Sequence, residues 1–488
     1  MRIIFEQKNH SDMLQNLKNY ILVLLSTSML LAGCSGGNDE PSGSEINPND
    51  NSLKSLSFLK ESNAGLPQNY TCAQDNQTLY VTLPDGIDLT KLVPTFVIAE
   101  GATLSVNNAQ VENGKTSVDF SNTTKLVIKS QSGLTRTYMV LAKNGDPKID
   151  QMVYSYMIKH DVPGVSLAIS KDESLVYKAA YGFADVSKEE RVTSDYMFRL
   201  ASMSKQHTSI AIMKLFEEGK LSLNDCVFGK DGILGEMLGD NIKDSRARHI
   251  TVQQLLEHTS GYSVDNIFGG LSRYSGMTLK DRMVYLLENE SLAYTPGTTH
   301  KYNNFGFSAL GLVVEAVSGK DFETYLKEDI YSHSKESITN IRGGKNDAGN
   351  RFANEVVYYA QGSKDAYGNN VEVGIAAGGI IASAPDLMKL MNMVDYGTNV
   401  PDLLKEETLD IMYKASEANN RYALGWRVNY PYITSWASYH GGTLAGVCPI
   451  WARGHNNVNG VILCNSRSYD MDIDDDLWYM LEDIRTMF

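Results

Sequence analysis

At 488 residues the chain is too long for one ordinary core and suggests two or three domains. Its 44 Lys and Arg stand against 58 Asp and Glu, and the formal charge of −14 argues against nucleic acid as a partner. The nine histidines are scattered and no CxxC or His-rich spacing occurs, so neither a metal nor a cofactor is expected.

Lys8 and Lys18 precede the apolar run YILVLLSTSMLLA (residues 20–32), which is too short to span a bilayer as a stable helix. Residues 1–33 are therefore expected to be a signal segment, with Met13 as a second candidate start. The order Leu31-Ala32-Gly33-Cys34 resembles the lipobox of bacterial lipoproteins. That resemblance implies an acylated Cys34 holding the protein on a membrane of the cell envelope; the alternative is ordinary secretory cleavage beside an incidental cysteine. Residues 34–50 are acidic and rich in Gly, Ser, Asn and Pro, as a flexible tether would be. Acidic residues just behind the cysteine resemble the surface-export signal of Bacteroidetes lipoproteins, so the implied site is the outer membrane, facing the periplasm or the surface.

From 51 to 143 short strand-like runs (TLYVTLP, VPTFVIAEG, KLVIKS, RTYMVLAK) alternate with Asp-Gly, Asn-Asn, Asn-Gly and Ser-Gly turns. Runs of that size and spacing predict an all-β sandwich. The segment resembles the Ig-like domains at the front of Bacteroides surface lipoproteins, and it carries no convergent His, Asp and Ser set, so a spacer or docking role is expected.

NGDPKID (144–150) marks a boundary, with Pro147 suited to a first helical turn. Residues 147–488 predict a mixed α/β (α+β) domain. A helix near 148–159 leads to the strands GVSLAISKD and SLVYKAAYGFADV, a helical middle runs to about 396, and strands return at YALGWRV, TSWASYH, AGVCPIWA and GVILCNS. An acidic helix, DIDDDLWYMLEDIRTMF, closes the chain. Early and late strands sharing one antiparallel sheet beside a helical subdomain bring distant residues to a single cleft. Cys448 and Cys464 flank the turn RGHNNVNG and are candidates for a cross-strand disulfide, with two buried free thiols as the commoner outcome.

The chemistry concentrates in FRLASMSKQHTSIAIMKLFEEGKL (198–221), a helix that is apolar on almost every face yet carries Ser202 and Lys205 near its start. Residues three apart on a helix are neighbours, so the lysine reaches the hydroxyl. A nucleophilic serine needs a group to take its proton, and a buried lysine can serve. Ser-x-x-Lys also occurs at Ser57/Lys60 and Ser332/Lys335, both expected to be surface residues.

On these residues the region from about 150 to 488 resembles the serine β-lactamase and penicillin-binding protein superfamily, specifically its class C-like branch. FRLASMSK matches the nucleophile motif, ITVQQLLEHTSGY the helix and turn behind it, YTPGTTHKYNNFGF the Tyr-x-Asn motif, and YHGGTLAGV the third motif. AAGGIIASAPDLMKL and YALGWRV match further family segments. The resemblance implies Ser202 as the acylated nucleophile, with Lys205 and Tyr302 exchanging its proton. Asn304 would hold Lys205 and a substrate amide. His440, Gly441, Gly442 and Thr443 would line the substrate strand, with the backbone N–H groups of Ser202 and Thr443 as the oxyanion hole. His258 is expected to cap its turn outside the reaction centre, and a second Tyr-x-Asn at Tyr367/Asn369 to be a loop.

β-Lactamases generally carry Lys-Thr/Ser-Gly where this chain has His440-Gly441-Gly442, and a histidine neutral near pH 7 is a poorer carboxylate anchor. The implied activity is hydrolysis of an amide or ester through an acyl-enzyme, with a D-amino-acid peptide or carboxylic ester favoured over a β-lactam. Alternatives are transfer of the acyl group to an alcohol or amine acceptor walled by residues 263–294, a true β-lactamase, and a non-catalytic surface-binding lipoprotein. The partner is then a small-molecule or peptide acyl donor.

Overall fold

Asp146 accepts hydrogen bonds from the N–H groups of Lys148 and Ile149, and Pro147 fills the first turn, so the helix Pro147–His160 begins where the β-rich front ends. The computed structural model describes residues 47–84, 86–264, 268, 274, 276–469 and 472–488. The expected leader, Cys34 and the tether up to residue 46 lie outside the described residues.

The front region forms two sheets. One has the order Tyr70–Thr71, Leu53–Phe58, Pro94–Ile98; the other runs Ala73–Asp75, Thr78–Leu83, Thr135–Asn144, Thr124–Lys129, Thr103–Val106, Ala109–Gln110. Leu56, Phe58, Leu79, Leu83, Phe120, Leu126 and Ile128 are fully buried in one core, as the alternation in the sequence requires. Thr78–Leu83 and Thr135–Asn144 pair in parallel, whereas the other pairings are antiparallel.

In the larger region the early and late strands do share one sheet. Its order is Glu190–Arg191, Ser174–Asp185, Gly164–Lys171, Val458–Cys464, Ile450–Gly454, Trp436–Gly441, antiparallel throughout. Both faces are covered, so the two central strands are buried at nearly every position. Val165, Leu167 and Ile169 pack with Leu477, Leu481 and Ile484 of the closing helix Ile473–Arg485, while Ala168, Val461 and Leu463 join the core of the helical layer. One expected strand is absent: YALGWRV forms only isolated bridges, Tyr422 to Arg427 and Arg427 to Tyr439. Gly425, at φ +84°, turns the chain there, and a Cβ would meet that of Ser209 at 2.9 Å. Cys448 and Cys464 are buried free thiols.

The front region is fused to the rest through one buried carboxylate. Asp150 has no exposed surface and accepts from Thr82 Oγ1 at 2.5 Å, Tyr181 OH at 2.6 Å and Tyr177 OH at 2.9 Å, with Lys143 Nζ at 2.7 Å. Thr82 and Lys143 sit opposite each other in neighbouring front strands, and Tyr80 stacks on Tyr154 at 5.0 Å in a core that both regions build. Truncating a buried ion pair on one side leaves an uncompensated charge, so Asp150→Ala is expected to cost about 3 kcal/mol. Urea unfolding checks this, and a loss under about 0.5 kcal/mol would show that the joint carries little.

Candidate active site

Strand Phe198–Arg199 pairs with Ile380–Ala382, and the chain then turns sharply: Ala201 adopts φ +47°, a conformation unfavourable for any residue with a Cβ. The 3₁₀ turn Ala201–Met203 follows and runs into the helix Ser204–Glu217, so Ser202 lies in the turn and Lys205 in the first helical turn. Lys205 is fully buried. Its Nζ lies 2.6 Å from Asn304 Oδ1, 2.6 Å from the carbonyl of Ala377 and 3.2 Å from Ser202 Oγ. The two carbonyl oxygens can only accept, so they orient the amine, whereas the serine hydroxyl can exchange a proton with it.

The helix is not apolar on almost every face. Ser204 to Ser209 are six consecutive polar residues without exposure, each with a partner waiting. Ser204 Oγ accepts from Ile380 N at 3.0 Å, Gln206 donates to Gly425 O at 2.7 Å, Thr208 to Ala376 O at 2.6 Å and Ser209 to Leu424 O at 2.5 Å. His207 Nδ1 lies 2.8 Å from Tyr331 OH. These bonds clamp the helix Ser204–Glu217 between the π-helical turn Ile375–Gly379 and the 422–426 turn, so its polar sequence encodes position.

Tyr302 and Asn304 flank Asn303, the N-cap of the helix Asn304–Ser318. The Tyr302 ring centroid lies 4.8 Å from Lys205 Nζ and 4.2 Å from the ring of His258. His258, at φ +59°, accepts from Asn303 N at 3.1 Å and bonds Tyr422 OH at 2.9 Å. It therefore does more than cap a turn, because it backs the Tyr302 ring. On the third side Gly442 lies so close to the nucleophile turn that a Cβ would stand 2.2 Å from Leu200 O and 3.0 Å from Ala201 Cβ. Thr443, the next residue in the chain, is exposed. His440 is buried, with Nδ1 2.6 Å from Gly441 O and Nε2 3.3 Å from Tyr422 OH.

The other motif copies are elsewhere. Ser57 bonds Thr71 Oγ1 at 3.0 Å in the front sheet, and Ser332 donates to Glu328 O at 2.5 Å on the surface. Tyr367 accepts from Tyr358 N at 3.2 Å and packs 4.8 Å from the buried Arg199 guanidinium. Residues 265–267, 269–273 and 275 of the 263–294 wall lie outside the described residues. Phe268 meets Gly374 and Gly378 so closely that a Cβ on either would clash with its ring.

Beside Tyr302 opens a cavity of about 430 Å³ lined by His300, Tyr422, Tyr430 and Tyr439 and by two exposed arginines, Arg421 and Arg427. Sequence reasoning missed the arginines and Tyr422: a strand assigned to YALGWRV hides the turn at Gly425 between Tyr422 and Arg427, and nothing marks Arg421 just before it. Burial first, then the nearby cations Lys205 and Arg427, holds His258 and His440 well below the usual histidine range. Among the described residues no group of three or more His, Cys, Asp or Glu side chains is placed to hold a metal ion.

A family model described as Beta-lactamase matches residues 149–483, and one described as SGBP, N-terminal matches 62–142. A protein of Escherichia coli O157:H7 named for a D-alanyl-D-alanine carboxypeptidase is 26% identical over 321 residues, covering 56% of this chain and 70% of its own. The octameric penicillin-binding protein homologue from Pyrococcus abyssi superposes with TM-score 0.57 at 21% identity, over 69% of this chain and 76% of its own. A D-alanine carboxypeptidase from Burkholderia cenocepacia gives 0.53 at 20% identity, over 70% and 98%. At these identities the two solved structures share the fold.

Burial lowers the His207 imidazole to about 3. Below about pH 6.5 the unfolded chain binds a proton there that the folded one refuses, so stability present above that pH is lost as pH falls toward about 3. Asp402, which burial raises to about 7, titrates in the opposite sense, so the wild-type trend alone is ambiguous. Comparing wild type with His207→Gln isolates the imidazole: from pH 7.5 to 5.5 the variant is expected to lose about 1.4 kcal/mol less in urea unfolding. Parallel losses in the two proteins would refute a neutral His207.

Proposed function

This chain belongs to the Beta-lactamase family, and on that premise we propose that it is a serine hydrolase that forms an acyl-enzyme on Ser202 and cleaves D-amino-acid peptides ending in a free carboxylate. The observation that carries the reading is the pinned Lys205, 3.2 Å from Ser202 Oγ and 2.6 Å from each of two carbonyl acceptors. As an amine with two N–H bonds committed to those carbonyls, Lys205 presents its lone pair to the hydroxyl, and Tyr302 above it continues the proton path. Ser202 attacks the carbonyl, the developing oxyanion meets the N–H groups of Ser202 and Thr443, and Tyr302 returns the proton to the leaving amine. Water then takes the serine's place on the acyl group by the same path in reverse.

The choice of donor rests on the cavity beside Tyr302. With histidine in place of the usual lysine, the third motif lacks a cation, but Arg421 and Arg427 supply two at the cleft edge. A guanidinium pairs with a carboxylate through two parallel hydrogen bonds. The carboxypeptidase name of the Escherichia coli relative points the same way. The enzyme sits in the envelope, held by lipid on Cys34; the position of that cysteine behind the apolar run and the SGBP, N-terminal match at 62–142 support this. Among the described residues no helix is long and apolar enough to cross a membrane.

Fluorescent penicillin or p-nitrophenyl acetate tests the chemistry. Wild type is expected to be labelled or to turn over and Ser202→Ala to do neither; identical behaviour of the two proteins would leave a non-catalytic binding lipoprotein. Arg427→Ala tests the donor: KM for a D-Ala-D-Ala tripeptide is expected to rise roughly tenfold or more, with p-nitrophenyl acetate unaffected. Equal effects on both substrates would remove the carboxylate anchor. Mass spectrometry of products with a bulky alcohol present separates hydrolysis from acyl transfer.

A further inference from the structure

Three hydrogen bonds join the second and third motifs through His258 and Tyr422, to which neither motif assigns a role, and a fourth continues within the third motif. The N–H of Asn303, between Tyr302 and Asn304, points at His258 Nδ1 at 3.1 Å, and a backbone N–H can only donate. Nδ1 is therefore the bare nitrogen, and the His258 proton sits on Nε2, 2.9 Å from Tyr422 OH. With its oxygen accepting from His258, Tyr422 turns its own proton toward His440 Nε2 at 3.3 Å. His440 Nδ1 then holds the ring proton and donates to the carbonyl of Gly441 at 2.6 Å, which can only accept. A donor closes one end and an acceptor the other, so the chain has one direction and both imidazoles are neutral. All three side chains are at most 2% exposed, so the bonds lie largely out of solvent.

We propose that His258, Tyr422 and His440 form this directed chain to hold the Gly441–Thr443 strand end in register with Tyr302, with Tyr422 as the positioning residue. The proposal rests on the acyl-enzyme reading above, in which that strand end carries the Thr443 donor. Two contacts give the chain its purchase. At one end the His258 ring lies 4.2 Å from that of Tyr302, and at the other the tethered Gly441 precedes Gly442, which is wedged against Leu200 O. Backbone pairing of Arg427 with Tyr439, 2.9 Å in both directions, ties the Tyr422 turn to the same strand. Tyr422 touches no reacting atom; it acts through His440 and His258.

The first test needs no variant. The full chain labelled with [15N]histidine is read by long-range 1H–15N correlation at pH 7.5, with His258→Asn and His440→Asn spectra assigning the two rings. His440 is expected as the Nδ1-H tautomer and His258 as the Nε2-H tautomer; the opposite tautomer, or a charged ring, at either position overturns the chain. The second test is Tyr422→Phe, which keeps the ring and deletes the link. His440 is expected to lose its single tautomer and penicillin acylation to slow roughly tenfold, while Ser202 still labels to completion. An unchanged His440 spectrum with an unchanged acylation rate overturns the positioning role. The tautomers do not depend on acyl chemistry: expected tautomers with no labelling of Ser202 would sink the hydrolase reading, and wrong tautomers with normal labelling would sink the chain alone.

Discussion

Everything at the cleft depends on one buried ammonium or amine, Lys205, being held by groups from three separate stretches of chain. Asn304 comes from the second motif, Ala377 O from the π-helical turn Ile375–Gly379, and Ser202 from the turn before the lysine's own helix. A long flexible side chain in a cavity of this kind loses its rotamer freedom, and only several simultaneous partners offset that loss together with the cost of burial. The surrounding structure serves those partners. Six buried polar residues of the nucleophile helix lock its position against the same segments, and Ala201 is forced to a positive φ so that Ser202 can face them.

Close backbone approach is the second constraint, and it explains the glycines better than flexibility does. Gly442 must lie against Leu200 O, and Gly425 against Ser209, for the strand end and the 422–427 turn to meet the nucleophile helix. Each contact leaves no room for a Cβ, so both segments can lie against the helix and its preceding turn only because they carry glycine there. The front β region is tied to this frame as well: Asp150 and the Tyr80–Tyr154 stack bind it to the sheet whose edge strand ends in the third motif.

The legible part of this molecule was the part with a period or a motif. Strand-like runs between turn residues foretold the front sheets, the order of early and late strands foretold that they share one sheet, and the Ser202/Lys205 spacing with the family motifs at Tyr302 and His440 foretold which side chains converge. What stayed hidden involves partners far apart in the chain. The polar stretch 204–209 gives no sign of burial, because its acceptors are carbonyls of residues 376 and 424–425. Tyr422 and Arg427 lay inside an apparent strand, and only the Gly425 turn shows them facing the cleft. His258 was set aside as a turn residue because its contacts with Tyr302 and Tyr422 cross 44 and 164 residues of chain.

The exchange of lysine for histidine in the third motif then has a physical meaning. A lysine there would supply two things at once, a donor that organises the strand end and a charge for the substrate. Here the two are separated. Neutral His440 sits in a buried chain where an ammonium would meet the full cost of desolvation. The charge stands instead on Arg427 and Arg421 at the cavity edge, where both side chains are exposed to water. Placing the cations at the cavity edge keeps them solvated and leaves the buried interior to the neutral His258, Tyr422 and His440.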